Sequence, residues 1–116
     1  MKTLIIQDKA LDFSIRIVNL SKILTIEHGE FVISKQLLRS ATSIGANLEE
    51  ALACDSPKEF RHKLSLCYRE TRESKYWLKL LVETDHIELE RFDHLYSMVD
   101  EIAKMLYTMK NKGVSA

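Results

Sequence analysis

Glu59 and His62 stand three residues apart, the spacing at which one helix face could offer a carboxylate and an imidazole to a di-iron centre. Such a centre needs a second Glu-x-x-His pair, and the sequence has none. Glu59 has a simpler duty as the last residue of an S-x-x-E capping box opened by Ser56. His28, His86 and His94 fall at or near helix ends, with no ligand spacing to one another or to a cysteine. Cys54 and Cys67 form no CxxC pair and read as reduced thiols of a cytosolic protein. Cys67 lies on an apolar seam, where a thiol is a small core residue rather than a nucleophile. The sequence contains no HExxH, no Gly-rich phosphate loop and no GxSxG. The pattern of residues supports neither catalysis nor a metal or cofactor.

Two other groupings carry chemistry of a different kind. Arg61, Arg69, Arg72, Lys75 and Lys79 lie along one helical stretch with Tyr76 among them. Bases beside an aromatic suit a phosphate backbone with exposed nucleobases. Glu70, Glu73 and Glu83 interleave with them at helical spacing, so a solvated face of intrahelical ion pairs is the competing expectation. Upstream, Arg39, Ser43, Asn47 and Glu50 form a polar line beside an apolar one. That line is a catalytic or binding site, a packing device or a solvated face. Reflection about the tight CDSP turn sets Arg39 near Glu73, Ser43 near Arg69, Asn47 near Ser65, and Glu50 near Arg61 or His62. Matched polar partners of this kind favour a packing and register device. Ala41 and Gly45 would let the two backbones approach closely.

The elements that position these residues are helices. Only three Gly and one Pro punctuate 116 residues, and no segment alternates with period two for long enough to be a strand. Four helices are predicted, over roughly 8–28, 34–53, 57–84 and 88–111, with apolar lines at spacings of three and four. Short links between them make an antiparallel, up-down-up-down four-helix bundle in a single domain. Seventeen basic and seventeen acidic residues cancel, so net charge argues for neither nucleic acid nor an acidic membrane. No run approaches the roughly 20 apolar residues of a membrane span, so a cytoplasmic protein without membrane contact is expected. Leu66, Trp77 and Leu80 lie off the apolar seam of the third helix, as do Phe13 and Ile17 on the first. This surplus means either a wider core or a subunit interface, and the Trp among it favours the interface and hence a homo-oligomer.

The runs QLLRSATSIGANLEEA, SPKEFRHKLS and ETRESKYWLKLL resemble the four-helix bundle family named for intervening sequences in bacterial 23S rRNA genes. The likeness spans about Phe13 to Met109. Its second-helix signature falls here on Gln36, Arg39, Ser43, Ile44, Ala46, Asn47 and Glu50; Lys58, Glu59, Phe60 and Glu73 match further on. Many members have a Gly and then an Arg after the signature, whereas this sequence has Ala51 and then Cys54. The resemblance implies a homopentameric ring with no enzyme activity and no established biochemical role. A more distant relative is similar to the accessory protein of diversity-generating retroelements, which binds a reverse transcriptase and nucleic acid. By analogy of fold, a nucleic-acid or protein partner is therefore a further expectation.

Overall fold

The computed structural model describes residues 3–113, and four helices account for nearly all of them. Helix α1 spans Ile5–His28, α2 Val32–Leu52, α3 Pro57–Glu83 and α4 Leu89–Lys112. Each packs on the helix before and after it, and α1 closes the bundle against α4. Among the described residues α1 does not contact α3, nor α2 contact α4, so the two pairs stand at opposite corners. The expected up-down-up-down bundle is the observed fold.

The helix ends follow from local chemistry. Ser56 accepts the amide of Glu59 through its hydroxyl (3.0 Å), and Pro57 occupies the first turn where its missing N–H costs nothing. The half of the capping box in which Glu59 would reach back is not formed. Helix α1 starts three residues before the expected Asp8, because the Gln7 side chain accepts the Leu4 amide at 2.8 Å and Ile6 is buried. Helix α2 starts at Val32 instead of Ser34 for a similar reason. The Glu30 carboxylate accepts the amides of Val32, Ile33 and Ser34, holding the first turn with a negative charge where the helix dipole favours one.

Two helices end in the same kind of turn. Gly29 adopts φ +62° after α1, and the Glu30 amide reaches back to the Leu24 carbonyl. Asp85 adopts φ +61° after α3, and the His86 amide reaches back to Leu81. Left-handed backbone is free for glycine and tolerable for aspartate.

The core runs the length of the bundle. Phe13, Ile17 and Leu24 from α1 meet Leu37, Ile44 and Leu48 from α2, Leu64, Leu78 and Leu81 from α3, and Ile102 and Leu106 from α4, all buried. Phe13 and Ile17 thus belong to the chain's own core, the wider-core alternative, and not to a subunit interface. On α1 the outward line is the other one, formed by Leu11, Ile15 and Val18. Cys67 is buried among these residues, and that burial pushes its thiol up to about 12, leaving it protonated and unreactive. Among the described residues no helix is long and apolar enough to cross a membrane.

Candidate interaction faces of the bundle

The polar line of α2 splits into two behaviours. Its ends cross to α3: Arg39 makes an ion pair with Glu73 and a second with Glu70 at 3.3 Å, and Glu50 meets Lys63 at 3.1 Å. Its middle turns back on α2. Ser43 donates to the Arg39 carbonyl (2.7 Å) and Asn47 to the Ser43 carbonyl (2.9 Å), so neither meets the Arg69 or Ser65 that reflection suggested. Glu50 likewise finds Lys63 rather than Arg61 or His62, because Lys63 lies on the α2 side of α3 and those two are exposed. Gln36 is half-buried on the same helix.

The Arg39 side chain is half exposed, whereas Glu70 keeps only 15% of its side-chain surface. Glu73 serves twice, also accepting the indole N–H of Trp77 at 3.2 Å. A short polar network therefore ties α2 to α3 at mid-length. It opens to solvent on one side, where half of the Arg39 side chain is exposed.

The buried cross-helix polar bonds come from serines, of which Ser74 lies on the apolar seam of α3 at spacings of three and four from its neighbours. Ser40 and Ser74, both buried, bond hydroxyl to hydroxyl at 3.0 Å between α2 and α3. Ser21 and Ser34 do the same between α1 and α2 at 2.8 Å. No buried side-chain polar atom among the described residues lacks a partner. The expectation for Gly45 fails. It faces α1, where an added Cβ would sit an ordinary 3.7 Å from the Cβ of Ala10, so α2 and α3 do not approach across it.

The bases of α3 divide by side. Lys75 turns to α4, bonding Asp100 at 2.7 Å and lying 5.4 Å from the Tyr96 ring centre. With Lys104 on its other oxygen (3.1 Å), these bonds hold the Asp100 carboxyl below the usual carboxylate range. Arg61, Arg69, Arg72 and Lys79 are exposed, and among the described residues none forms an ion pair. Two of their three expected partners are occupied elsewhere, since Glu70 and Glu73 are held by Arg39; Glu83 is exposed and in no ion pair among the described residues. Lys79 keeps only a contact with the face of Tyr96, at 5.6 Å. Tyr76 is 59% exposed in the midst of this face.

The candidate interface residues are less open. Leu66, Trp77 and Leu80 are half-buried, and Trp77 packs against the core. More open are Leu11, Ile15, Val18 and Ile26, which follow one line along α1, while Phe31, Val32 and Leu89 are exposed singly or in a pair near helix starts. Sequence reading found that line but could not tell it from the inward one, because both are apolar at helical spacing.

The chain resembles known proteins along nearly its whole length. No curated protein sequence matches it. A solved structure from Bacteroides thetaiotaomicron, described as a protein of unknown function from the S23 ribosomal protein family, superposes with a TM-score of 0.92. The two share 44% sequence identity over 93% of this chain and 100% of that one. The model of the 23S rRNA-intervening sequence protein family matches residues 2–108. With a match of that extent and this four-helix fold, the chain belongs to the family of 23S rRNA-intervening sequence proteins.

Proposed function

We propose that this protein is a non-enzymatic, self-assembling interaction scaffold that works in the cytoplasm. Five copies in a ring is the number the family resemblance implies. The observation that carries the reading is the outer face of α1. A helix buried on one stripe needs polar residues opposite it, yet here Leu11 and Ile15 are 62% and 51% exposed. An apolar line along the outside of a small bundle is the mark of a surface that another chain covers. The test is light scattering after gel filtration, with Leu11→Glu and Ile15→Glu combined in one variant. The expected result is an oligomer for the starting protein and a folded monomer for the variant. A starting protein that is monomeric at micromolar concentration overturns the reading.

A second reading is favoured by one specific observation, the unpaired bases of α3. Arg61, Arg69, Arg72 and Lys79 surround an exposed tyrosine on the corner opposite α1, so assembly through α1 leaves them open. Repeated around an oligomer, such patches would hold a nucleic-acid strand through effective concentration. Replacing Arg69, Arg72 and Lys79 together by Glu should remove salt-sensitive binding of single-stranded RNA and leave the mass of the assembly unchanged. Binding that survives the replacement, or is missing from the starting protein, overturns it.

A further inference from the structure

We infer that one end of the α1–α4 seam binds a nucleoside monophosphate. This goes beyond the scaffold reading and does not depend on self-assembly. Three of the four histidines, unrelated in spacing, come together there around two adjoining cavities that share Ile23 and Arg91 as walls. The smaller cavity, of about 230 Å³, is lined by Arg16 and Asn19 of α1 and by Arg91 and His94 of α4, with Leu20 and Leu95 beneath. Among the described residues no carboxylate lines it. Asp12 meets Arg16 only at Nε, at 3.2 Å, which leaves both terminal nitrogens of that guanidinium open. Arg91 is exposed and in no ion pair among the described residues. Two guanidiniums on one small cavity repel each other unless an anion lies between them. Their forked donors, with an imidazole and a carboxamide beside them, exceed what a carboxylate can accept. They suit the terminal oxygens of a phosphate ester.

The larger cavity says what the phosphate is attached to. It measures about 660 Å³ and lies between the end of α1 and the α3–α4 turn. That is within the roughly 300–1,000 Å³ of small-molecule sites, whereas the smaller cavity has room only for a head group. Ile23, Val82 and Ile87 give it an apolar wall. His28 and His86 add two imidazoles, set edge to face with 6.2 Å between ring centres, and Thr84 holds His86 through Nδ1 at 2.8 Å. A planar base can lie along such a wall and stack on an imidazole. Asp85 and Glu88 line the same cavity and can accept from ribose hydroxyls, as acidic residues do in dinucleotide sites. Their charge also sets the direction of the ligand: it repels a phosphate from this cavity and leaves the arginine end as its place. The site lies on α1 and α4, apart from Arg69, Arg72 and Lys79 of α3.

The test is calorimetric titration of the full chain with each common nucleoside 5′-monophosphate, with the matching nucleosides and with inorganic phosphate. The expected result is that a monophosphate binds about tenfold or more tightly than its nucleoside or phosphate alone. Arg16→Ala combined with Arg91→Ala should remove that binding while helix content and the mass of the assembly stay as they were. His28→Ala should weaken it by about fivefold or more, through the lost stacking partner. Replacing Arg69, Arg72 and Lys79 by Glu should leave it unchanged, which separates this site from any binding on α3. Monophosphate binding that survives loss of both arginines, or that disappears with the α3 bases instead, overturns the site. Inorganic phosphate bound as tightly as the nucleotides leaves the larger cavity without a role and overturns the ligand class. No binding of any monophosphate at millimolar concentration overturns the inference outright.

Discussion

Helices α1 and α3 stand at opposite corners of one bundle and turn opposite chemistry outward. The outer face of α1 carries Leu11, Ile15, Val18 and Ile26; that of α3 carries Arg61, Arg69, Arg72, Tyr76 and Lys79. Both helices bury an ordinary apolar stripe inward, so the fold itself does not require the difference. A face that holds no fold together is free to be shaped by what it meets. One corner is suited to another apolar surface and the other to a polyanion. The Arg39 network between them helps leave Arg69 and Arg72 unpaired, by taking up Glu70 and Glu73.

The comparison breaks most readily at α1, where two neighbouring apolar residues should behave oppositely. Phe13→Ala removes a fully buried ring and should cost about 3–5 kcal/mol in urea unfolding. Ile15→Ala, measured at a dilution where chains are separate, should change stability by no more than about 0.5 kcal/mol. Equal costs would mean that the outward line is part of the chain's own core. On α3, Tyr76→Ala should weaken binding of single-stranded RNA by about 1–3 kcal/mol without moving the unfolding midpoint, if a base stacks on the ring. An unchanged affinity would reduce the face to charge alone.

The next effect is smaller and lies between the two faces. Arg39→Ala should destabilise by about 1–2 kcal/mol. A fully buried pair would cost more, but half of the Arg39 side chain is exposed, and the loss comes mainly from stranding Glu70. A cycle with Glu73→Ala should show coupling; strict additivity would mean that the pair contributes nothing. The same change should leave Glu70 and Glu73 free to neutralise Arg69 and Arg72, lowering RNA affinity from a distance.

The smallest effect is one of pH. Asp100 is held in its charged form by Lys75 first and Lys104 second. A carboxyl whose folded value lies below its unfolded one stabilises above the unfolded value and loses that contribution as pH falls through the folded one. Acid titration of unfolding in Lys75→Met should therefore show a shallower loss of stability at low pH, because the variant already lacks this contribution at neutral pH and the two proteins converge in acid. An identical slope would show the Lys75–Asp100 bond to be without weight.

Much of this was legible in the residues. Gly, Pro and Ser56 mark the helix ends, and reflection about CDSP finds Arg39 opposite Glu73, because an antiparallel pair joined by a tight turn has only one register. The rest depended on rotation about the helix axis. Leu11, Ile15 and Val18 differ from Phe13 and Ile17 only in which way they point, and two apolar lines on one helix give no preference. Glu70 and Glu73 could equally have paired with bases on their own helix; the choice of Arg39 is tertiary. Ser40 is silent for another reason, whereas Ser74 lies on the seam of α3 and only its partner was hidden. A serine is compatible with a core or a surface, and only the partner makes its burial affordable.

The closure of α1 on α4 governs how the molecule breathes. Three of the four helix contacts join neighbours in the chain, so hairpin-like pairs can form early and quickly. The α1–α4 seam is the exception: it is the thinnest contact, it joins the two ends of the described chain, and a Lys9–Glu101 ion pair at the surface spans it. Amide exchange should therefore be fastest along α1 and α4 facing that seam and slowest between α2 and α3. If a second copy covers α1, it clamps the element most ready to detach, and assembly would slow exchange there more than anywhere else.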